Sequence, residues 1–198
     1  MRPILFRRRI GKDERGATLV EFAFVAPVLL LTLFGLLDLG YQSYTQSILQ
    51  GALHEAARMA TVGDKTGAQI DAVVVDRLND VVHGAAPVIE KKSYREFSDV
   101  KIAEKITTDT APLGQYNIGD CFKDANGNGS YDTDRGKGGL GNSEDIVRYE
   151  VTLTFPRLFP FPKIIGLSPT ETVRGVTVLR NQPFASRATE ADPICPTV

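Results

Sequence analysis

Residues 17–37 read ATLVEFAFVAPVLLLTLFGLL, an apolar stretch in which Glu21 is the single charged side chain. As a helix with a rise of 1.5 Å per residue, a stretch of this length spans the roughly 30 Å hydrocarbon core of a membrane. The stretch therefore predicts a transmembrane helix, over residues 17–38 once the boundary residue Asp38 is included.

Charged residues are distributed unevenly on the two sides of this stretch. Residues 1–16 carry six basic and two acidic side chains, whereas the rest of the chain carries 17 basic and 22 acidic ones. Because basic flanks of a span stay on the cytoplasmic side, we expect a cytoplasmic N-terminus and a C-terminal part on the opposite face. A cleavable secretory signal is the competing interpretation, but no small-residue cleavage site follows the apolar stretch.

The length of 198 residues allows one membrane anchor and one small domain, without room for two large cores. A net charge of −1 and a pI near 6.1 provide no basic field for a phosphate backbone, so no nucleic-acid partner is expected. The sequence lacks the short motifs of serine hydrolases, zinc proteases and P-loop enzymes. We therefore expect that the protein is not an enzyme.

Glu21 needs an explanation, because a carboxylate inside an apolar helix costs about 2–4 kcal/mol. One explanation is a shallow position from which the side chain reaches the lipid headgroups. The other is a resemblance: Gly16 followed by ATLV, Glu21 and Phe22 resembles the processing site of type IV prepilins of the Tad/Flp kind. The resemblance implies that a prepilin peptidase cuts after Gly16 and leaves Ala17 as the first mature residue. Glu21 would then pair with the new amine of this or a neighbouring subunit and set the register of assembly.

A longer segment carries a wider resemblance. GATLVEFAFVAPVLLLTLFGLLDLG, followed by ALHEAARMA, is similar to the TadE-like family. The matching positions are Glu21, Pro27, Asp38, Ala56, Ala57 and Arg58. The resemblance implies a minor pilin-like subunit (pseudopilin) that helps to assemble a Tad-type pilus from the inner membrane, with residues 1–16 as a cytoplasmic leader. Its implied partners are the prepilin peptidase, other pilin-like subunits and the pilus assembly machinery, and entry into the fibre stays open.

Beyond the span, residues 39–62 predict a stalk that continues the same helix. An apolar stripe with small residues at every fourth position runs along it, formed by Ile48, Leu49, Ala52, Leu53, Ala56 and Ala60. Small residues at this spacing allow other elements to approach closely. The stripe either packs against other pilin-like helices or supports the chain's own C-terminal domain, and the sequence leaves both open.

Residues 63–198 predict an extracytoplasmic α+β domain with a pilin-like arrangement. A turn at residues 63–67 precedes a second, short helix over residues 68–82, whose apolar residues share one face. Alternating segments predict the strands of a small antiparallel sheet at residues 97–106, 145–155 and 171–179. The proline-rich residues 156–169 predict a loop whose apolar face packs on its own sheet or meets a partner or the membrane.

A loop rich in Asp, Asn and Gly has the spacing of an EF-hand-type calcium site. Its candidate ligands are Asp124, Asn126, Asn128, Ser130 and Asp132, with Gly129 at the sixth place. The twelfth place is Arg135 instead of a glutamate, so Glu144 or Asp145 would have to close the site. The loop predicts either a loose calcium site or a solvated turn. A calcium-binding adhesion or surface protein anchored in the membrane is accordingly the alternative function.

Both cysteines, Cys121 and Cys195, lie far downstream of the span. In an oxidising compartment outside the cytoplasm they would form one disulfide, whereas two free thiols are the alternative. With two histidines in the chain and no C-x-x-C motif, a zinc site has almost no ligands.

Overall fold

The computed structural model describes residues 16–63, 65–159, 166, 168–182 and 192–196. Two helices, α1 (Ala17–Val62) and α2 (Gly67–Asn79), precede the strands. The strands are β1 (Val88–Tyr94), β2 (Ile106–Thr108), β3 (Cys121–Lys123), β4 (Lys137–Gly138), β5 (Ile146–Pro156), β6 (Thr170–Arg180) and β7 (Pro193–Ile194). The predicted α+β class, with a long N-terminal helix, a short second helix and small antiparallel sheets, is confirmed.

The first helix is continuous over 46 residues, which corresponds to a length of about 70 Å. It ends at Gly63, whose backbone has a φ of 75° and whose N–H donates to the Met59 carbonyl at 3.3 Å. This left-handed conformation is readily adopted by glycine and terminates the helix. One continuous helix therefore includes the residues predicted for the span and those predicted for the stalk.

The larger sheet has the strand order β4-β1-β5-β6, and all neighbouring strands are antiparallel. Alternate residues of β5 face the helices and are buried: Val147, Tyr149, Val151, Leu153 and Phe155. On the opposite face, the buried Glu150 pairs with the buried Arg148 and with Arg174, whose side chain is exposed. A smaller sheet has the order β2-β3-β7.

The stripe on the stalk packs against the chain's own sheet. Leu49, Ala52, Leu53, Ala56 and Ala60 are buried in one core together with Ile70, Val74 and Leu78 of α2. At the closest approach, a Cβ atom on Gly175 of β6 would clash with Leu53 and lie 3.2 Å from Leu49 Cγ. Of the two roles that the sequence left open, the stripe therefore supports the domain.

The second helix begins with a capping box. The Thr66 N–H donates to Gln69 Oε1 at 2.9 Å, and the Gln69 N–H donates to Thr66 Oγ1 at 3.4 Å. Two backbone donors that a helix start leaves unpaired are thereby satisfied. The helix ends at Asn79, three residues before the predicted end, although Val82 is still buried in the core.

One predicted strand is wrong. Residues 97–106 form a short 3₁₀ turn (Phe97–Asp99) and an irregular segment, and only Ile106 belongs to a strand. The reason is local, because Lys101 has a φ of 58°, which an extended strand cannot contain. The sequence analysis also missed β1 and the second sheet. The predicted loop at residues 156–169 lies partly outside the described residues, which omit 160–165 and 167.

Candidate functional site

The predicted cleavage and assembly residues lie at the start of α1. Gly16 is the N-cap, with φ −89° and ψ −17°, and Ala17 is the first helical residue. Glu21 lies one turn further and is exposed, on the same helix face as Ala17. Among the described residues, no hydrogen bond or ion pair involves Glu21. Residues 1–15, the remainder of the predicted leader, lie outside the described part.

The first half of α1 carries apolar side chains around its whole circumference. Its most apolar window has a mean hydropathy of 2.3, and none of that window is buried in the protein. Within the described residues, α1 is the one helix whose length and composition suit a membrane span. Exposed Leu, Phe and Val side chains on every side are unfavourable in water and favourable in lipid.

One side of this half is slightly concave. Ala23, Ala26 and Pro27 line it, together with larger neighbours such as Phe22 and Leu30. Pro27 has no N–H to donate to the Ala23 carbonyl, yet α1 continues through it. Small side chains on an apolar helix allow a second helix to approach closely in a membrane. The surface therefore suits contact with another apolar helix.

A polar junction joins the domain to α1 where the apolar span ends. The Arg157 guanidinium donates from Nη1 to Asp38 Oδ2 at 2.5 Å, and both side chains are largely buried. Arg157 also pairs with Glu171, whose Oε1 accepts from Gln42 Nε2 at 2.5 Å. Asp38 is one of the residues that resembled the TadE-like family, but its partner Arg157 was not predicted. Their separation of 119 residues left no signal in the sequence.

Directly below this junction, the aromatic rings of Phe34 and Phe159 are in contact, with centroids 4.6 Å apart. The backbone N–H of Leu158 donates to Asp38 Oδ1 at 3.3 Å. Leu158 and Phe159 follow the end of β5, so they begin the connection between β5 and β6. The start of this connection, Leu158 and Phe159, therefore lies against the end of the apolar span.

The stalk residues of the wider resemblance face different directions. Ala56 is buried in the domain core, Ala57 is half-buried and Arg58 is exposed. His54 is exposed as well, and its neighbour Glu55 pairs with Arg77 of α2 at 3.1 Å. The stalk therefore has one face committed to the domain and another that remains accessible.

In the Asp/Asn/Gly loop the side chains of three candidate ligands are in contact, and a fourth, Asp124, binds the loop backbone. The buried Asp124 carboxylate accepts the N–H groups of Gly127 and Gly129, at 2.6 and 2.7 Å. Asp132 Oδ2 accepts from the side-chain amides of Asn126 and Asn128, at 2.7 and 2.6 Å. A bound cation would require both amides to turn so that their oxygen atoms face it. The Ser130 backbone N–H donates to Asn128 Oδ1 at 2.7 Å.

A buried carboxylate that the sequence analysis did not select, Glu104, holds the two arms of this loop. It accepts the N–H of Ala125 at 2.8 Å and that of Asp132 at 3.1 Å. Burial raises the pKa of Glu104 above its ordinary value, against the lowering effect of these two hydrogen bonds. Glu104 precedes β2 and lies 21 residues before Ala125, outside the spacing of a calcium-binding loop. No sequence pattern therefore indicated this role.

The residues proposed to close a calcium site are engaged elsewhere. Arg135, at the twelfth place, turns away and donates to Asp99 Oδ1 at 2.9 Å. Glu144 pairs with Arg180 at 3.5 Å, and Asp145 accepts the N–H of Asn142 at 2.7 Å. Across the described residues, no three His, Cys, Asp or Glu side chains are grouped closely enough to hold a metal ion.

The two cysteines form a disulfide in the structure. Cys121 is the first residue of β3 and Cys195 follows β7, so the bond joins two paired strands of the smaller sheet. Beside it, the fully buried Asp120 accepts from both the N–H and the hydroxyl of Thr110. These hydrogen bonds lower the pKa of Asp120, and the bond from the Thr110 hydroxyl has the largest effect. The disulfide therefore links the strand that precedes the Asp/Asn/Gly loop, β3, to the C-terminal strand β7.

Comparison with known proteins gives one family match. Residues 16–58 match the model of the family described as TadE-like protein. No curated protein and no solved structure was found to match the chain. The matched residues begin at Gly16, include the whole apolar span and end at Arg58 in the stalk, and they support a membrane-associated, pilin-like role in a Tad pilus context. The resemblance seen in the sequence is confirmed over residues 16–58, the candidate membrane span and most of the stalk, which match the TadE-like family model.

Proposed function

We propose that the chain is a minor pilin-like subunit, a pseudopilin, that a prepilin peptidase cuts after Gly16 and that then takes part in assembly of a Tad-type pilus. One observation carries this proposal. A single helix begins at Ala17, is apolar on all sides as far as Leu37, and is rigidly joined to a small domain through its second half. Cleavage at the start of this helix would leave the anchor in the membrane with the domain outside the cytoplasm.

Glu21 has the central place in this function. Cleavage creates a positive amine at Ala17, one helical turn from the Glu21 carboxylate, so the two groups of one subunit or of neighbouring subunits would neutralise each other in lipid. The concave side with Ala23 and Ala26 would let a second pilin-like helix approach at that level. Glu21 would thereby specify the register in which subunits pack.

N-terminal sequencing of the protein from membranes tests the processing step, in hosts with and without the prepilin peptidase. We expect Ala17 as the N-terminus only where the peptidase is present. Gly16→Leu should retain Met1, and Gly11→Leu, a matched change within the leader, should still be cut. An uncut wild-type chain beside an active peptidase, or a cut beyond Leu37, would contradict the proposal.

The assembly step is tested separately with Glu21→Gln. We expect this variant to be cleaved normally and to support few or no surface pili, because the charge that sets the register is lost. Glu55→Gln, which changes the other glutamate of α1, should leave pilus number unchanged. Normal piliation with Glu21→Gln would remove Glu21 from the proposal and leave cleavage standing.

The alternative is a calcium-binding adhesion or surface protein anchored by α1. The observation in its favour is the convergence of Asn126 and Asn128 on Asp132. Titration of the purified full chain with calcium, followed by calorimetry, tests this alternative against the variant Asp132→Asn. Saturable binding that Asp132→Asn abolishes would support it, and no heat of binding at millimolar calcium would exclude it.

A further inference from the structure

The height of the β5–β6 hairpin relative to the span can be read from its contacts. Phe34, which touches Phe159, lies three residues before Leu37, so it is about 4–5 Å inside the end of the apolar stretch. Asp38, which holds Arg157 and the Leu158 N–H, lies one residue beyond that end. Charged contacts thus lie on the outer side of the boundary, and the ring of Phe159 lies on the inner side.

The β5–β6 connection is also apolar where it leaves the domain, at Leu158 and Phe159. Leu158 is 50% exposed, so the domain itself covers only part of this side chain. Residues 158–169 contain one charged side chain, Lys163, and it is basic. Arg157 fixes the base of the hairpin, because its Nε donates to the Ser168 carbonyl at 3.0 Å and its N–H to the Pro169 carbonyl at 3.1 Å. These hydrogen bonds, together with that of the Leu158 N–H to Asp38, hold the start of the connection beside α1.

We propose that the start of the β5–β6 connection, Leu158 and Phe159, inserts into the outer edge of the bilayer that α1 spans. The partner is lipid: the first carbons of the acyl chains meet Leu158 and Phe159, while Arg157 and Asp38 remain at the headgroup level. The contact between Phe159 and Phe34 makes Leu158 and Phe159 continuous with the lipid-facing surface of the span, which is the reason for proposing lipid as the partner. The domain then rests on the membrane at two points, the helix and the hairpin, which fixes its height and orientation.

Tryptophan fluorescence can show whether Leu158 and Phe159 lie in the bilayer, because the natural chain contains no tryptophan. Leu158→Trp in the full chain, reconstituted in liposomes with brominated lipids, reports contact with acyl chains. We expect strong quenching by bromine near the headgroup end of the chain, and several-fold weaker quenching by bromine near the bilayer centre. Val62→Trp is the matched control, since Val62 is 55% exposed and lies about 37 Å beyond Leu37 along α1. It should not be quenched.

This inference rests on the membrane span within the proposed function, so Leu30→Trp, in the middle of that span, separates the two. Quenching of Leu30→Trp by deep bromine, together with quenching of Leu158→Trp by shallow bromine, would support the inference. If Leu30→Trp is quenched and Leu158→Trp is not, the hairpin is off the membrane and the inference alone is overturned. Blue-shifted but unquenched emission from Leu158→Trp would mean burial in protein, by its own sheet or a second copy, and overturns it too. An unquenched Leu30→Trp would overturn both the inference and the span.

Discussion

The two halves of α1 belong to one continuous helix but have different surroundings. From Ala17 to Leu37 apolar side chains cover the whole circumference, and none of the apolar window is buried by the protein. From Asp38 to Val62 the apolar residues form one stripe, and that stripe is buried against the larger sheet and α2. An apolar circumference indicates lipid, whereas an apolar stripe indicates a protein partner on one side. The distribution of apolar residues, more than their number, distinguishes the candidate span from the stalk.

The change between the two halves occurs at Asp38. This residue ends the apolar stretch, and its side chain binds Arg157, which belongs to the domain. A largely buried carboxylate at a membrane boundary needs such a partner to offset the loss of hydration. The junction therefore marks the point where the exposed apolar half of the helix ends and the half that packs on the domain begins.

The largest expected effect comes from shortening one leucine in each half. Leu53→Ala should lower the unfolding free energy of the domain by about 2–5 kcal/mol, because it leaves a cavity between α1 and Gly175. Leu33→Ala, a matched change in the exposed first half, should lower it by less than about 0.5 kcal/mol. Chemical denaturation in detergent measures both values. Equal losses would show that the halves do not differ as described.

Removal of the disulfide should have the next largest effect. Cys121→Ser with Cys195→Ser opens a loop of 74 residues and should cost about 2–4 kcal/mol of domain stability. Because the bond lies in the smaller sheet and α1 packs on the larger one, hydrogen exchange should accelerate most in β2, β3 and β7. Equal acceleration in the stalk would contradict the separation of these two parts. The same stability with and without a reducing agent would contradict the disulfide itself.

A double-mutant cycle at the junction should show a smaller effect. We expect Asp38→Asn and Arg157→Gln to be coupled by about 1–3 kcal/mol, since both side chains are largely buried. The control pair is Glu55 and Arg77 on the stalk, which also pairs α1 with the domain but is much more exposed. Its coupling should be about 0.2–1 kcal/mol. A junction coupling no larger than that of the control would remove Asp38 as the point of change.

The smallest effect concerns the interior of the domain at high pH. Burial, followed by the hydrogen bond to Asp134, raises the pKa of Tyr94 to about 12. A phenol that stays protonated in the folded state contributes stability below its ordinary pKa near 10, and this contribution is lost as pH rises towards 12. The difference in phenolate absorbance between the wild type and Tyr94→Phe should therefore appear only above about pH 11. Its appearance by about pH 10 would mean that Tyr94 is accessible to water.

Long patterned elements were predictable from the sequence, and elements fixed by distant contacts were not. The span, the stalk, α2, β5 and β6 each repeat their pattern over several turns or strand residues. In β1, by contrast, Lys91 faces the helices at a position where an alternating strand would have an apolar residue. Its side chain pairs with Asp71 of α2. The alternation of β1 cannot be recognised from the sequence, because Asp71, which neutralises Lys91, lies 20 residues away.

The candidate site shows the same division. Gly16, Ala17 and Glu21 could be selected because they are close together and resemble one processing site. In the Asp/Asn/Gly loop, Asn126 and Asn128 contact Asp132, and calcium binding there stays a prediction. Glu104, which holds the loop, was missed. Arg157 was missed for the same reason, since a buried ion pair depends on the fold and leaves no local pattern.

Spin labels placed singly along α1, in the full chain reconstituted in liposomes, test most directly that one helix has two environments. Accessibility to oxygen, which concentrates in lipid, and to a water-soluble nickel complex would be measured at each position from 19 to 60. We predict high oxygen accessibility on every face from 22 to 36, and a period of 3.6 residues from 45 to 60 with protection at Leu49, Leu53 and Ala56. Accessibility to the nickel complex throughout residues 22–36, or loss of the period in the stalk, would contradict the account.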